Sequence, residues 1–259
     1  MQDLKISLVQ HELVWESPEE NRRHFAALLS ENQPATDLIL LPEMFTTGFS
    51  MNALANAEPP GGATEQWMRA IAREHDCAVA GSIAVQDAGA VYNRLLFVTP
   101  DELSVYDKRH LFRMAGEHKR YAPGTGARRV VLEWRGWRIK PEVCYDLRFP
   151  VFSRNRQDYD LLFYVANWPA PRAMHWRTLL RARAIENLAC VVGVNRIGSD
   201  ANGLRYSGDS LAIDARGELL ADLAGRASIE TVTFSGDLLL AYRESFPTHL
   251  DADDFHIIE

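Results

Sequence analysis

Residues 137–150 read Trp137-Arg138-Ile139-Lys140-Pro141-Glu142-Val143-Cys144-Tyr145-Asp146-Leu147-Arg148-Phe149-Pro150. The first seven have the character of a strand; the rest turns at once to charged and turn-forming side chains. A thiol therefore stands where a strand ends. Upstream, residues 130–134 form a second strand pattern, with Arg135-Gly136 as the hairpin turn between the two. Downstream, residues 161–166 are an uninterrupted apolar run. Residues 175–188 then have helical spacing, with Trp176, Leu179, Leu180, Ala184 and Leu188 on or near one face. Strand patterns follow at 189–195, 210–214, 218–222 and 229–234.

The first half has the same alternation. Leu4, Ile6 and Leu8 are spaced as in a strand. Residues 18–30 predict a helix with Phe25, Leu28 and Leu29 to one side and Ser17 as its N-cap. Residues 38–41 are a short, fully apolar strand, 64–75 a helix with Trp67 and Ile71 inward. Residues 77–85 and 91–98 are strands joined by the turn Gln86-Asp87-Ala88-Gly89, and 103–106 is a further short strand. Strands alternating with helices imply one α/β domain over residues 1–259. Periodicity leaves the strand order open and fits a doubly wound sheet or a sandwich.

Composition narrows the class. Hydrophobic residues make up 47% and charged residues 24%, which allows a large buried core. A net charge of −7 gives no broad basic face for nucleic acid. No apolar run reaches the length of about 18 residues that a membrane span needs. The N-terminus lacks a signal-peptide pattern. Three cysteines are too few and too odd in number for a disulfide framework and fit a reducing compartment. The cytoplasm is the expected location.

The three thiols differ in company. Cys77 and Cys190 lie within apolar strands, where a free cysteine behaves as a small hydrophobe. Cys144 lies at a strand end among charges, where a nearby cation favours the reactive thiolate. A thiol nucleophile needs a base. His175, opening a helix after Pro171, is one candidate, and the other histidines are scattered without informative spacing. Glu43 is another. It follows the apolar strand 38–41 after Pro42, at the carboxyl end of a strand, where α/β sheets place ligand sites. Lys108 follows the strand 103–106 and is suited to holding an oxyanion or equally to facing solvent within a Lys-Arg-His run.

Three segments taken together resemble the signature blocks of the nitrilase (carbon–nitrogen hydrolase) superfamily. They are Leu40-Leu41-Pro42-Glu43-Met44, Tyr106-Asp107-Lys108-Arg109-His110-Leu111-Phe112 and Val143-Cys144-Tyr145-Asp146-Leu147-Arg148-Phe149-Pro150, in the family's order. Gly116-Glu117-His118-Lys119-Arg120-Tyr121-Ala122-Pro123-Gly124 and Ala166-Asn167-Trp168-Pro169 extend the similarity over essentially the whole chain. The resemblance implies a four-layer α-β-β-α sandwich that dimerises through its helical faces. It implies Glu43 as general base, Cys144 as nucleophile, and Lys108 with the backbone N–H of Tyr145 as the oxyanion site. Glu117 matches the second glutamate that positions the lysine. No metal or organic cofactor is implied.

Within the superfamily the Cys144–Pro150 run and Tyr164-Val165-Ala166-Asn167-Trp168-Pro169 look most like the omega-amidase branch, which hydrolyses the terminal amides of 2-oxoglutaramate and 2-oxosuccinamate. Such substrates carry a carboxylate. Arg148 is the first candidate to bind it, with Arg113 and Arg172 as competitors, and a loop-fixing salt bridge as Arg148's alternative role. Trp168 and Phe45 are the expected apolar walls. Pro141-Glu142 departs from the family's plain strand. Regular alternation puts Glu142 on the face of Cys144, where it would raise the thiol pKa. The competing readings are the same residues acting on a nitrile, an N-carbamoyl amine or another amide; a binding protein with an idle site; and a papain-like protease, which lacks an identified partner histidine.

Overall fold

The structure is a computed structural model that describes residues 1–125 and 130–257. Its strands, in chain order, are β1 (Leu4–Gln10), β2 (Leu38–Leu40), β3 (Ala78–Asp87), β4 (Ala90–Val98), β5 (Leu103–Asp107), β6 (Leu132–Trp134), β7 (Trp137–Val143), β8 (Leu161–Ala166), β9 (Cys190–Asn195), β10 (Ile197–Ser199), β11 (Arg205–Ser207), β12 (Leu211–Ile213), β13 (Leu219–Asp222) and β14 (Ser228–Phe234). Two six-stranded sheets result, ordered β14-β1-β2-β3-β4-β5 and β13-β12-β9-β8-β7-β6. Each is parallel at its centre and antiparallel at its margins.

Side-chain alternation sorts the core into three layers. Leu38 and Leu40, with Leu161, Phe163 and Val165, face the space between the sheets. Ile39 and Leu41 face the helices Pro18–Asn32 and Ala63–Glu74. Leu162, Tyr164 and Ala166 face the helix Ala173–Asn187. Strands buried on both faces read as continuous apolar runs, which is why residues 38–41 and 161–166 show no alternation. The order is helix, sheet, sheet, helix: the four-layer α-β-β-α sandwich expected from the family resemblance. Gly193 sets one spacing. A Cβ there would lie 2.4 Å from Leu180 and 2.6 Å from Trp176, so only glycine lets that helix lie directly on β9.

Several short elements escaped the sequence reading, among them the helices Ala53–Asn56 and Pro150–Ser153. The hairpin β10–β11 forms a small separate sheet, and Gly236–Ser245 is a helix capped by the Ser235 hydroxyl. Ser17 does occupy an N-cap position, but its hydroxyl donates to Glu20 at 3.2 Å instead of accepting a backbone N–H. Pro141 lies past the point where β6 pairing stops at Ile139, while still in register with Phe163 of β8. That side of β7 is thus a local edge, where a missing donor costs nothing. No helix among the described residues is long and apolar enough to cross a membrane.

Candidate active site

The strand ends named above converge on one point between the sheets. Glu43 follows β2, Lys108 follows β5, Cys144 ends β7 and Asn167 ends β8. Lys108 Nζ donates to Glu43 Oε1 at 2.8 Å and to the Glu117 carboxylate at 3.0 and 3.1 Å. All three side chains are fully buried. Asn93 Nδ2 donates to Glu43 Oε1 at 2.8 Å and to Glu117 Oε1 at 3.2 Å. The backbone N–H groups of Asn167 and Phe112 donate to Glu43 Oε2 at 2.8 Å and to Glu117 Oε2 at 2.6 Å. Isolated buried charges are costly; here each carboxylate has the same ammonium and additional N–H donors.

These neighbours set the protonation states. Burial pulls the Lys108 pKa down, but Glu117 and Glu43 outweigh it and hold the ammonium well above the ordinary lysine range. Burial pushes the Glu117 carboxyl up, Lys108 opposes it, and Glu43 adds to the rise. Desolvation at the cavity floor and the Glu43 carboxylate push the Cys144 thiol well above its ordinary value, against Lys108. Burial and Glu43 thus favour the neutral thiol over the thiolate, and Lys108 opposes them.

Cys144 does not continue the strand. Its φ of +46° is left-handed, and the chain passes into the short 3-10 turn Cys144–Arg148. Such a conformation in a non-glycine residue costs about 1–3 kcal/mol and needs support. Asp146 supplies it. Its carboxylate accepts from the Val143 N–H at 3.0 Å, the Tyr106 hydroxyl at 2.7 Å, the His110 N–H at 3.0 Å and His110 Nδ1 at 2.7 Å. The His110 ring stacks on Phe149 at 3.9 Å. The lysine-bearing and cysteine-bearing segments are thus pinned together. Asp146→Ala leaves four buried or half-buried donors without an acceptor and is expected to cost about 3 kcal/mol. The Tm should fall by about 6–12 °C in a thermal unfolding scan.

Above this cluster opens a cavity of about 550 Å³. Its lining includes Glu43, Lys108 and Cys144 of the cluster, the aromatic rings of Trp15, Phe49, Phe112, Tyr145 and Trp168, the cations Arg148 and Arg172, and the carboxylates Glu16 and Asp200. Residues 5–243 match the model of a family described as carbon-nitrogen hydrolase. The chain belongs to the carbon–nitrogen hydrolase family.

Relatives of the hydrolase are close and full-length. It is 52% identical to omega-amidase YafV of Yersinia enterocolitica, with 100% of both chains covered. It is 32% identical to the 2-oxoglutaramate amidase of Bacillus subtilis strain 168, over 95% of this chain and 96% of that one. Among solved structures, XC1258 of Xanthomonas campestris, a CN-hydrolase superfamily protein with an arsenic adduct in its active site, superposes with a TM-score of 0.97 at 48% identity over 100% of both chains. Saccharomyces cerevisiae Nit3, of branch 10 of the nitrilase superfamily, shares the fold at 22% identity, with a TM-score of 0.83 and 95% coverage of both chains.

The structure brings Glu43, Lys108, Glu117 and Cys144 into one cluster of the hydrolase, with Tyr145, Arg148 and Trp168 around the cavity. Among the described residues Arg148 makes no salt bridge; its guanidinium donates to His175 Nδ1 at 3.1 Å and lies 4.8 Å over the Trp168 ring. Arg172 also lines the cavity, whereas Arg113 does not.

Two expectations need correction. Phe45 is no wall of the cavity. It is fully buried on the helix side of the first sheet, between Phe25 at 5.9 Å and Trp67 at 5.8 Å, because the chain turns at Met44 with φ +45°. Phe49 takes the wall position, with Lys108 Nζ 5.1 Å over its ring. Glu142 does not act on Cys144 either. The left-handed turn at Cys144 breaks the alternation, and Glu142 faces Lys140 at 2.9 Å and the Ser153 hydroxyl at 2.7 Å. Cys77 and Cys190 are buried, each thiol pushed up to about 12 by burial and then by nearby aspartates. Asn93 was not foreseen; an asparagine within a strand carries no local sign that it bridges two distant carboxylates.

Proposed function

We propose that the protein is an omega-amidase that hydrolyses the terminal amide of 2-oxoglutaramate or 2-oxosuccinamate through a thioester on Cys144. The observation that carries this reading is the buried Lys108 ammonium, 2.8 Å from Glu43 and 3.0 Å from Glu117, on a cavity floor shared with Cys144. The names of the relatives supply the substrate class.

Glu43 takes the thiol proton as Sγ attacks the amide carbon. Lys108 and the Tyr145 N–H hold the negative oxygen of the tetrahedral adduct. Glu43 returns the proton to the leaving nitrogen, the carbon–nitrogen bond breaks, and ammonia departs. Water, deprotonated by Glu43, then attacks the thioester; the carbon–sulfur bond breaks and the acid leaves with the thiol restored. Glu117 holds Lys108 in place. The residues supply nucleophile, base and oxyanion partner, so the reading requires no cofactor.

We place this activity in a single domain, residues 1–259, acting as a cytoplasmic homodimer without nucleic-acid or membrane partners. Exposed Leu238, Leu240, Phe246 and Leu250 support self-association. Ammonia release from 2-oxoglutaramate tests the substrate. The kcat/KM should exceed that for butyronitrile or an N-carbamoyl amine by at least about 100-fold, a transition-state difference of about 2.7 kcal/mol. The reverse ranking moves the same residues to another carbon–nitrogen substrate.

A further inference from the structure

Arg196 is a fully buried guanidinium that makes no ion pair among the described residues and spends its N–H groups on carbonyls. Nε donates to Ile197 O at 3.0 Å, and Nη2 to Ser199 O at 3.1 Å, with Leu13 O further off at 3.5 Å. The guanidinium lies 4.7 Å over the Tyr206 ring, and Nη1 finds no acceptor among the described residues. Burial pulls its pKa below the ordinary arginine range, and Tyr206, Asp200 and Glu12 oppose that pull. A buried cation so sparsely compensated is costly. What it achieves is the joining of two parts of the chain, the loop after β1 and the β10–β11 hairpin.

Further contacts run between the same two parts. The Ile197 N–H donates to His11 O at 3.2 Å. A Cβ on Gly198, at φ +85°, would lie 3.0 Å from the Glu12 side chain. Gly48 packs on the other side: a Cβ there would lie 3.0 Å from the Trp15 ring and 3.5 Å from Arg196 Nη1. Within the hairpin the Asp200 carboxylate accepts from the Asn202 and Leu204 N–H groups at 2.9 and 3.0 Å and from the Tyr206 hydroxyl at 3.0 Å. Both parts line the cavity, one through Trp15 and Glu16, the other through Asp200, Asn202, Leu204 and Tyr206. Much of the remaining lining is bound to the chemistry. Phe49 packs against the Lys108 ammonium, the Phe112 N–H donates to Glu117, and Tyr145 and Arg148 belong to the Cys144 turn. No hydrogen bond among the described residues joins the hairpin to Glu43, Lys108, Glu117 or Cys144. This wall can therefore differ in position without disturbing the catalytic cluster, and size selection is most freely built there.

We propose that the β10–β11 hairpin sets the largest amide that reaches Cys144, and that Arg196 is a positioning residue that holds the hairpin and the Trp15 segment together as one wall. The reaction rests on the proposed amidase reading; the size limit at Cys144 does not.

Two alkylating agents with the same reacting group measure that limit on the full-length protein. Iodoacetamide is small, and 2-iodo-N-phenylacetamide adds a ring. Rates at Cys144 are read by mass spectrometry and divided by those at glutathione, which removes the intrinsic difference between the reagents. The wild type should prefer the small reagent by at least about 20-fold, within the range a pocket imposes on a group that does not fit. Arg196→Met should lower that preference at least about 5-fold, and Arg196→Lys, which keeps the charge but puts one ammonium in place of the planar fork, by a smaller factor. Leu204→Ala cuts back the wall itself at an exposed position and should lower it about 5-fold, whether or not Arg196→Met folds. Asn187→Ala, buried outside the cavity lining, is a destabilised control and should keep the wild-type ratio.

A wild-type preference below about twofold overturns the size limit. An unchanged ratio in Leu204→Ala removes the hairpin as its source, and an unchanged ratio in both Arg196 variants removes the positioning role. An equal fall in Asn187→Ala marks general loosening and overturns the proposal as well. Ratios that follow the variants in a protein silent towards 2-oxoglutaramate remove the substrate reading and keep the wall. Ammonia release from 2-oxoglutaramate with the wild-type ratio in every variant keeps the substrate and removes the wall.

Discussion

Cys144→Ala is expected to lower ammonia release from 2-oxoglutaramate by about 10⁴–10⁶-fold while the protein remains folded. In the proposed mechanism the sulfur is the one atom that forms the new bond, and Lys108 and the Tyr145 N–H have no adduct to stabilise without it. The change removes one atom at the wall of an open cavity, so the Tm should move by no more than about 3 °C. Glu43→Gln is a graded companion: it keeps the thiol but loses the base, and a drop of about 10²–10⁴-fold is expected. Ammonia release surviving in Cys144→Ala would falsify the nucleophile assignment, since the other two thiols do not line the cavity: Cys77 is buried on the helix side of the first sheet and Cys190 in the core between the sheets.

Lys108→Met should produce the largest loss of stability. It leaves two buried carboxylates facing each other where the ammonium had joined both at 3.0 Å or less. Removing one partner of a buried ion pair costs about 3–5 kcal/mol, a fall of about 6–20 °C in Tm. The loss should also depend on pH. In the wild type, the raised lysine pKa gives a contribution fully present below the ordinary lysine value and lost only in strong alkali. In the variant, the Glu117 carboxyl, already pushed up by burial, moves up further. A carboxyl raised in the folded state favours folding at acid pH, and that advantage disappears as pH rises. The Tm deficit should therefore be smaller near pH 5 than near pH 8. Adding Glu117→Gln to Lys108→Met should restore much of the stability and none of the activity. Equal deficits at both pH values would show that the cluster does not carry the charges assigned to it.

Much of the architecture was legible because it depends on local patterns. Residues 38–41 and 161–166 read as fully apolar strands, and in the fold they are buried on both faces. The helices at 18–30 and 64–75 needed only small shifts at their ends. What failed involved departures from regular geometry. Glu142 and Phe45 were misplaced because each lies within two residues of a left-handed residue, Cys144 or Met44, where alternation stops being informative. Asn93 and His175 were missed, or assigned another role, for a different reason. Their partners lie on distant segments, Glu43 and Glu117 for one and Arg148 for the other. Pairings of that kind are decided by the packing of the two sheets.

The Asp146 bridge carries a consequence for how the enzyme becomes active as it folds. Tyr106 lies in the edge strand β5 of the first sheet and His110 just beyond it, while Val143 ends β7 of the second sheet and Asp146 lies in the turn that follows. Either sheet can gain its hydrogen bonds while the other is incomplete, yet Cys144 meets Glu43 and Lys108 only after the two have docked. Such long-range contacts form late in a slow-folding topology. Regain of activity should then lag regain of secondary structure on refolding, with catalysis serving as the readout of sheet docking.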